Sequence, residues 1–447
     1  MARPSRTSEL MTAKYPRTLV WLMAALVVAC SGQVATPAPG SSGPPSTPFA
    51  SGSASPGTTA LPSPSLGPIP SLATPGPSTP ATPLPTAPAT LPPAPLAEAL
   101  AAQLDQTVGE QLASWRIPGM NAEIIFPDGS RWSGAGGFAD LDRGLAVTRD
   151  TTFVTGSITK TFVTTAIMQL QEVGTLSIDD PLSMWVPDYP NAENITLIQL
   201  MSHTSGLFDY FRHPEYNLRV FNEPDHQWTP QEILDEFVLE PYFEPGERHK
   251  YSNTNFVVLG LVIEAATGQS LGQGLREHLF EPLSLDSTFC QCDGPPPPGS
   301  ARGYLQTPNG PVGLDDGTDY RPTLSAAAVA FGAGDIVSTP ADLADWVRTV
   351  YGGHLLAPDS LAMMTNYDYA PSSRGSYGLG TRTRVFDGVR MFGHTGSLRG
   401  FAAAMWHYPE IDLTIVVLTN RGRIEANPIV DALAAIAMPI SASYSRP

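Results

Sequence analysis

Lysine is almost missing from this chain. Of 447 residues only Lys14, Lys160 and Lys250 carry an ammonium group. Cysteine is equally scarce, with Cys30, Cys290 and Cys292 alone. So few cysteines exclude a disulfide-framework scaffold, and Cys290 and Cys292 have too few ligand neighbours in sequence to read as a metal site. They are expected to be a pair of loop thiols or a strained bridge with no catalytic part. The eight histidines contain no H-E-x-x-H pattern, which excludes the zinc-hydrolase reading that such spacing carries. No metal and no cofactor is expected. Positive charge is short overall, and the formal net charge is −17. That balance excludes nucleic acid as a partner and disfavours electrostatic docking on anionic lipid. Residues 31–95 hold no charge of either sign and consist almost wholly of Pro, Ser, Thr, Ala and Gly. Such a stretch cannot bury enough apolar surface to offset the entropy of ordering, so it reads as a disordered linker.

What precedes the linker gives it a purpose. Arg3, Arg6, Lys14 and Arg17 come before the apolar run from Thr18 to Ala29, the layout of a secretory signal peptide and too short for a membrane-spanning helix. The run ends Val27-Val28-Ala29-Cys30, which resembles a bacterial lipobox, in which the cysteine is lipidated and becomes the mature N-terminus. The expected organisation is therefore a lipoprotein signal peptide over 1–29, a lipidated Cys30 and linker over 30–95, and one folded domain over 96–447. The domain is expected on the outer face of the bacterial cytoplasmic membrane, touching it through the lipid anchor only.

Within the domain, Leu96 to Trp115 has a helical pattern, and Asn121–Phe126 reads as a strand followed by a Gly-rich return from Trp132 to Phe138. Phe162, Val163, Ala166, Ile167, Leu170 and Val173 repeat at helical spacing after Ser157, with Gly174 closing the run. Asn255 to Ala266 is apolar on nearly every side, so a deeply buried helix is expected. Strand patterns return at Val385, Val389–Met391, Phe401–Trp406 and Leu413–Leu418, and a last helix is expected over roughly 428–437. Strands at both ends with helices between predict an α+β fold: one antiparallel sheet built from both termini, flanked by helices, beside an all-helical lobe.

Where so few lysines survive, Lys160 stands out. It lies three residues after Ser157, and positions i and i+3 share a helix face. Arginine cannot give up its proton in practice, whereas a buried lysine amine can, and can then take the proton of a nearby hydroxyl. A helix start also favours developing negative charge. The same residues fit a capping serine beside a solvated lysine. Two further motifs decide against that. Tyr251-Ser252-Asn253, at the entry to the buried helix, places a phenol and an amide side by side. His394-Thr395-Gly396 lies between two late strand patterns, where Gly396 leaves room for a substrate backbone along a strand edge.

The order S-x-x-K, Y-x-N, H-T-G is similar to that of class C β-lactamases and secreted D-alanyl-D-alanine carboxypeptidases, within the serine β-lactamase and penicillin-binding-protein family. The resemblance extends over nearly all of 96–440. It implies the β-lactamase/transpeptidase-like fold and a ping-pong acyl transfer through an ester on Ser157. It implies Lys160 as acylation base, Tyr251 as proton relay and Asn253 as donor to the substrate's amide carbonyl. His394 and Thr395 would face the substrate's carboxylate side, and the backbone N–H groups of Ser157 and Ser397 would form the oxyanion hole. His394, where β-lactamases of class C have lysine, points to the carboxypeptidase, D-peptidase and esterase branches. A histidine there would change charge between about pH 5 and 8, so carboxylate binding would fade as pH rises; Arg382, Arg384 and Arg390 are alternative partners for the carboxylate. The expected activity is a D-alanyl-D-alanine carboxypeptidase or related D-peptidase or amidase. An esterase or weak β-lactamase, or an inactive binding protein on the same fold, are the alternatives. The expected partner is a small-molecule or peptide substrate, cell-wall peptide included, met by a monomer. Gly268-Gln269-Ser270-Leu271-Gly272 matches G-x-S-x-G but follows a helix rather than a strand, so Ser270 is rejected as nucleophile. His203-Thr204-Ser205-Gly206 mimics the third motif too early in the chain and is expected to be structural.

Overall fold

The computed structural model describes residues 96–313, 328–369 and 376–444. The signal peptide, Cys30 and the linker anticipated from sequence lie outside the described residues. The described strands are β1 (Gly119–Ile125), β2 (Arg131–Asp140), β3 (Leu145–Ala146), β4 (Phe153–Val154), β5 (Phe289–Cys290), β6 (Tyr304–Thr307) and β7 (Gly310–Gly313), then β8 (Ile336–Ser338), β9 (Ser376–Tyr377), β10 (Arg382–Phe386), β11 (Val389–Leu398), β12 (Phe401–Tyr408) and β13 (Leu413–Thr419).

Eight of them form one antiparallel sheet in the order β3-β2-β1-β13-β12-β11-β10-β9. Its centre joins the two ends of the domain, with Met120 opposite Thr419 and Ile125 opposite Thr414. This is the sheet expected from both termini. Strands β12 and β13 are buried at every position, so they read as unbroken apolar runs rather than as alternating ones. Trp406, Ile415 and Val417 pack with Leu104, Val108, Ile429 and Leu433, on the face covered by the helices Glu98–Ser114 and Asn427–Tyr444. Ala403, Met405, Val416 and Leu418 enter a second core with Leu343, Trp346 and Val347 of the helix Pro340–Tyr351. That core continues through Phe162, stacked on Trp346 at 3.9 Å, into the helices Thr159–Glu172 and Thr254–Thr267.

Hairpin chemistry sets the register of the site strands. Asp387 and Gly388 both have positive φ (48° and 80°), as the two-residue turn between β10 and β11 requires. Strand β11 runs unbroken through Leu398, so His394-Thr395-Gly396 lies inside a strand rather than between two. Cys290 and Cys292 are joined by a disulfide, which decides between the two states expected for them. Among the described residues, no single helix is long and apolar enough to cross a membrane.

Candidate active site

Ser157 sits in a tight 3-10 turn, Gly156–Ile158, that leads directly into the helix Thr159–Glu172. The helix expected to start at the serine therefore begins two residues later. Gly156 makes the turn possible with φ of 56°, a conformation that side chains resist. Lys160 follows on the first helical turn, wholly buried, with Nζ 3.2 Å from Ser157 Oγ, 2.9 Å from Asn253 Oδ1 and 2.5 Å from the Ala333 carbonyl. The last two atoms can only accept, so they take two N–H bonds. In the neutral amine the lone pair is left facing the serine hydroxyl. Burial pulls the Lys160 pKa down to about 7; the nearby Asp209 carboxylate raises it and the Arg382 guanidinium lowers it.

Tyr251 stands just before the helix Thr254–Thr267, its ring centroid 5.2 Å from Lys160 Nζ and 4.1 Å from the His203 ring. Its hydroxyl is buried beside the Ser157 side chain; burial pushes its pKa up to about 12, against the lowering effects of the Arg382 charge and the Ser157 hydroxyl. It is therefore a phenol at neutral pH, able to pass on a proton but not to begin as a base. Asn253 is held by a residue that sequence reasoning missed. Asp209 Oδ1 accepts from the Asn253 backbone N–H (3.1 Å) and from Nδ2 (3.0 Å), which aims the amide oxygen at Lys160. One Nδ2 hydrogen is thereby taken, and the other is what a substrate carbonyl could meet. Nothing in the spacing marked Asp209, because it meets Asn253 from 44 residues away.

The edge of β11 beyond the end of β10 packs backbone to backbone on the serine turn. A Cβ on Gly396 would come within 1.7 Å of the Thr155 carbonyl oxygen and 3.4 Å of Ser157 N, and one on Gly156 within 2.9 Å of Ser397 N. The absent side chain at Gly396 thus admits this chain's own Thr155, not a substrate backbone as expected. The same contact sets the backbone nitrogens of Ser157 and Ser397 on the two facing segments of this junction. Thr395 is half-buried and Ser397 exposed on this edge.

His394 departs from expectation. It is fully buried, its Nδ1 bonded to the Thr395 carbonyl at 2.6 Å and its Nε2 to Tyr377 Oη at 3.1 Å. Burial and the Arg382 guanidinium push its pKa well below the usual imidazole range, so it stays neutral and is not a switchable cation for a carboxylate. Of the three arginines left open, Arg384 is committed to Asp431 through two hydrogen bonds and Arg390 lies over Tyr367. Arg382 adjoins the site, with Cζ 5.5 Å from the Tyr251 ring centroid and Nε buried without a hydrogen-bond partner. A cavity of about 490 Å³ opens beside Tyr251, lined by Asp209, Arg212, Tyr242 and Lys250.

The rejected motifs are accounted for. Ser270 caps the helix Leu271–Leu275 by accepting from Gln273 N, and a helix precedes it. His203 is buried beneath Tyr251. Among the described residues, Cys290, Cys292 and Asp335 are close enough to share an ion, but the two sulfurs are bonded to each other.

The sequence profile of the beta-lactamase family matches residues 104–437. The chain belongs to the beta-lactamase family. This bears out the resemblance drawn from the three motifs. Among solved structures, this beta-lactamase-family chain is similar to a D-stereospecific amidohydrolase from Streptomyces sp. (29% identity, 74% of this chain and 98% of that one, TM-score 0.64). It is also similar to the D-amino acid amidase of Ochrobactrum anthropi SV3 (26% identity, 78% of this chain and 100% of that one, TM-score 0.66). Both bear out the α+β, β-lactamase/transpeptidase-like fold. Among curated relatives, a protein named as penicillin-binding protein PbpX of Bacillus subtilis (strain 168) is 29% identical over 260 residues, 58% of this chain and 59% of the relative. The chain thus spans less than two thirds of that relative's length.

Proposed function

We propose that this beta-lactamase-family protein is a serine hydrolase that cleaves D-amino-acid amides or peptides through an ester on Ser157, with D-alanyl-D-alanine termini of cell-wall peptides within its substrate class. The observation that carries the reading is the buried Lys160 amine, 3.2 Å from Ser157 Oγ and with a pKa near 7. Ser157 Oγ attacks the carbonyl carbon as its proton passes to Lys160 Nζ. The developing oxyanion is received by the N–H groups of Ser157 and Ser397. The proton held by Lys160 passes through Tyr251 to the departing amine as the C–N bond breaks; water then opens the ester, its proton returning through Tyr251 to Lys160 and from there to Ser157 Oγ as the acyl C–O bond breaks. The D-amino-acid substrate class is drawn from the names of the two solved neighbours. Arg382 is the proposed anchor for a substrate carboxylate, since its Nε–H is the unsatisfied cationic donor beside Tyr251.

The test is intact-protein mass spectrometry after exposure to a penicillin and to a fluorophosphonate, paired with hydrolysis of D- and L-phenylalanine amide. Adducts from both reagents that vanish in Ser157→Ala, with the D-amide cleaved faster, support the reading. An adduct from the phosphonate alone favours an esterase, and adducts that persist in Ser157→Ala overturn the nucleophile.

A further inference from the structure

Beneath the site a run of buried hydrogen bonds has only one possible direction. At one end the Ser252 backbone N–H meets His203 Nδ1 at 3.2 Å. A backbone N–H can only donate, so Nδ1 accepts and the His203 proton lies on Nε2. Asn255 Nδ2, 3.4 Å from the same Nδ1, presents a second donor there. At the other end the Thr395 carbonyl, which can only accept, lies 2.6 Å from His394 Nδ1, so that nitrogen carries the proton and Nε2 accepts. Between them stands Tyr377 Oη, 3.2 Å from His203 Nε2 and 3.1 Å from His394 Nε2. It must accept from the first and donate to the second. The two histidines are thereby fixed as opposite tautomers.

The chain crosses between separate parts of the fold. His203 follows the short helix Leu197–Met201, Tyr377 is on edge strand β9, and His394 is on β11. His203, Tyr377, His394 and Ser252 are at most 3% exposed, so no solvent competes for these bonds. His203 adopts φ of 59°, a left-handed conformation that a non-glycine residue holds only when its surroundings impose it. Its carbonyl also accepts from Lys250 N at 2.9 Å, stitching it to the segment that carries Tyr251.

We propose that Tyr377 is a positioning residue, the middle link of a one-way hydrogen-bond chain that ties the backbone beside Tyr251 to the backbone of the β11 edge and so fixes the spacing between them. The inference rests on the proposed roles of Tyr251 and Ser397 for its effect on rate, but not for its geometry. Protonating either histidine would break the direction of the chain. The charged or titratable groups facing His203 are Lys160, His249, His394 and Arg382 with the phenols Tyr251 and Tyr377, and those facing His394 are Arg382 and Lys160 with the same two phenols. The phenols are held neutral by burial and the rest are basic, so no anion among them favours a positive charge on either ring.

The experiment is nitrogen NMR of the protein labelled with 15N-histidine, without substrate, with the two signals assigned through His203→Gln and His394→Gln. The expected result is a proton on Nε2 of His203 and on Nδ1 of His394, with neither signal titrating between about pH 5.5 and 8.5, where a free imidazole would. Tyr377→Phe should let the tautomers of one or both mix and lower kcat by on the order of tenfold or more, with a smaller change in KM. A reversed tautomer or a titrating signal in the wild-type protein overturns the proposal, whatever Tyr377→Phe does to folding. A kcat within about twofold of wild type in a folded Tyr377→Phe overturns the positioning role. The wild-type spectrum needs no turnover, so it decides the geometry even if the protein hydrolyses nothing and the functional reading has failed.

Discussion

The acid limb of the pH–rate profile should belong to Lys160. Its ordinary pKa of 10.5 falls to about 7 in the folded site, chiefly because no water reaches the ammonium. That difference amounts to about 5 kcal/mol of preference for the neutral amine, at about 1.4 kcal/mol per unit. An unshifted lysine would hold about 0.03% of its population as free base at pH 7, against about half here, a gain on the order of a thousandfold. The sign follows from the proton's role. The base must be unprotonated, so activity rises with pH through about 7, with kcat/KM about tenfold higher at pH 8 than at pH 6. The phenol and imidazoles of the site shift away from this window: the Tyr251 pKa is pushed up to about 12, and burial pushes His203, His249 and His394 below the ordinary imidazole value. The assay is kcat/KM for a neutral ester across pH 5.5 to 9.5, which leaves any carboxylate recognition out of the measurement. Arg382→Gln removes a positive charge that lowers the lysine pKa, so its limb should move to higher pH. Lys160→Arg should be as inactive as Lys160→Ala, because a guanidinium cannot take the proton. A wild-type profile that is level from pH 6 to 8, or a limb that moves down in Arg382→Gln, refutes the reasoning.

Ser157→Ala should abolish hydrolysis by several orders of magnitude while leaving the melting temperature within a few degrees, and activity within about tenfold of wild type would remove Ser157 as nucleophile. Glu123 of β1 is buried with one carboxylate oxygen unpartnered, and burial raises its pKa to about 6. A raised carboxyl pKa means that folding is penalised as pH climbs from about 4.5 to 6, so Glu123→Gln should gain about 2 kcal/mol at pH 7 and nothing at pH 4, read by urea unfolding at both. For the proposed export and anchoring, metabolic labelling with a fatty-acid analogue should mark the wild-type protein and not Cys30→Ser. An unlabelled wild-type protein would mean that Cys30 carries no lipid. Arg382→Gln should cost a carboxylate-bearing D-alanyl substrate about 10- to 100-fold in kcat/KM and a neutral ester much less, and equal losses would show that Arg382 does not bind the carboxylate.

What could be read in advance divides along chain distance. Ser157 and Lys160 are one helical turn apart, so their meeting was written in the spacing, and the buried helix from Thr254 announced itself through its apolar residues. Asp209 and Tyr377 could not be found that way, and Arg382 could be named only as one of three candidate arginines. Each acts on the site through a partner reached only by folding, as Tyr377 reaches His203 across 174 positions. His394 was found but misread, because a motif tells which residue occupies a position and not whether water reaches it. Gly396 shows the same limit: the missing side chain was visible, while the Thr155 carbonyl that requires it lies far off in sequence.

The sheet's closing pair, Met120 opposite Thr419, dictates when this protein can come into being. As the chain emerges from the ribosome, β1 and β2 can form a hairpin early, but the neighbour that β1 needs on its other edge is made last. Until β13 arrives, β12 and β1 each lack a partner, and the apolar faces meant for the closing helix Asn427–Tyr444 stay uncovered. Pairings of such wide sequence separation are slow and expose aggregation-prone edges in the interval. Synthesis halted before residue 413 would leave the serine, the lysine, the tyrosine and the β11 edge all present in the chain, without a completed sheet to hold them together.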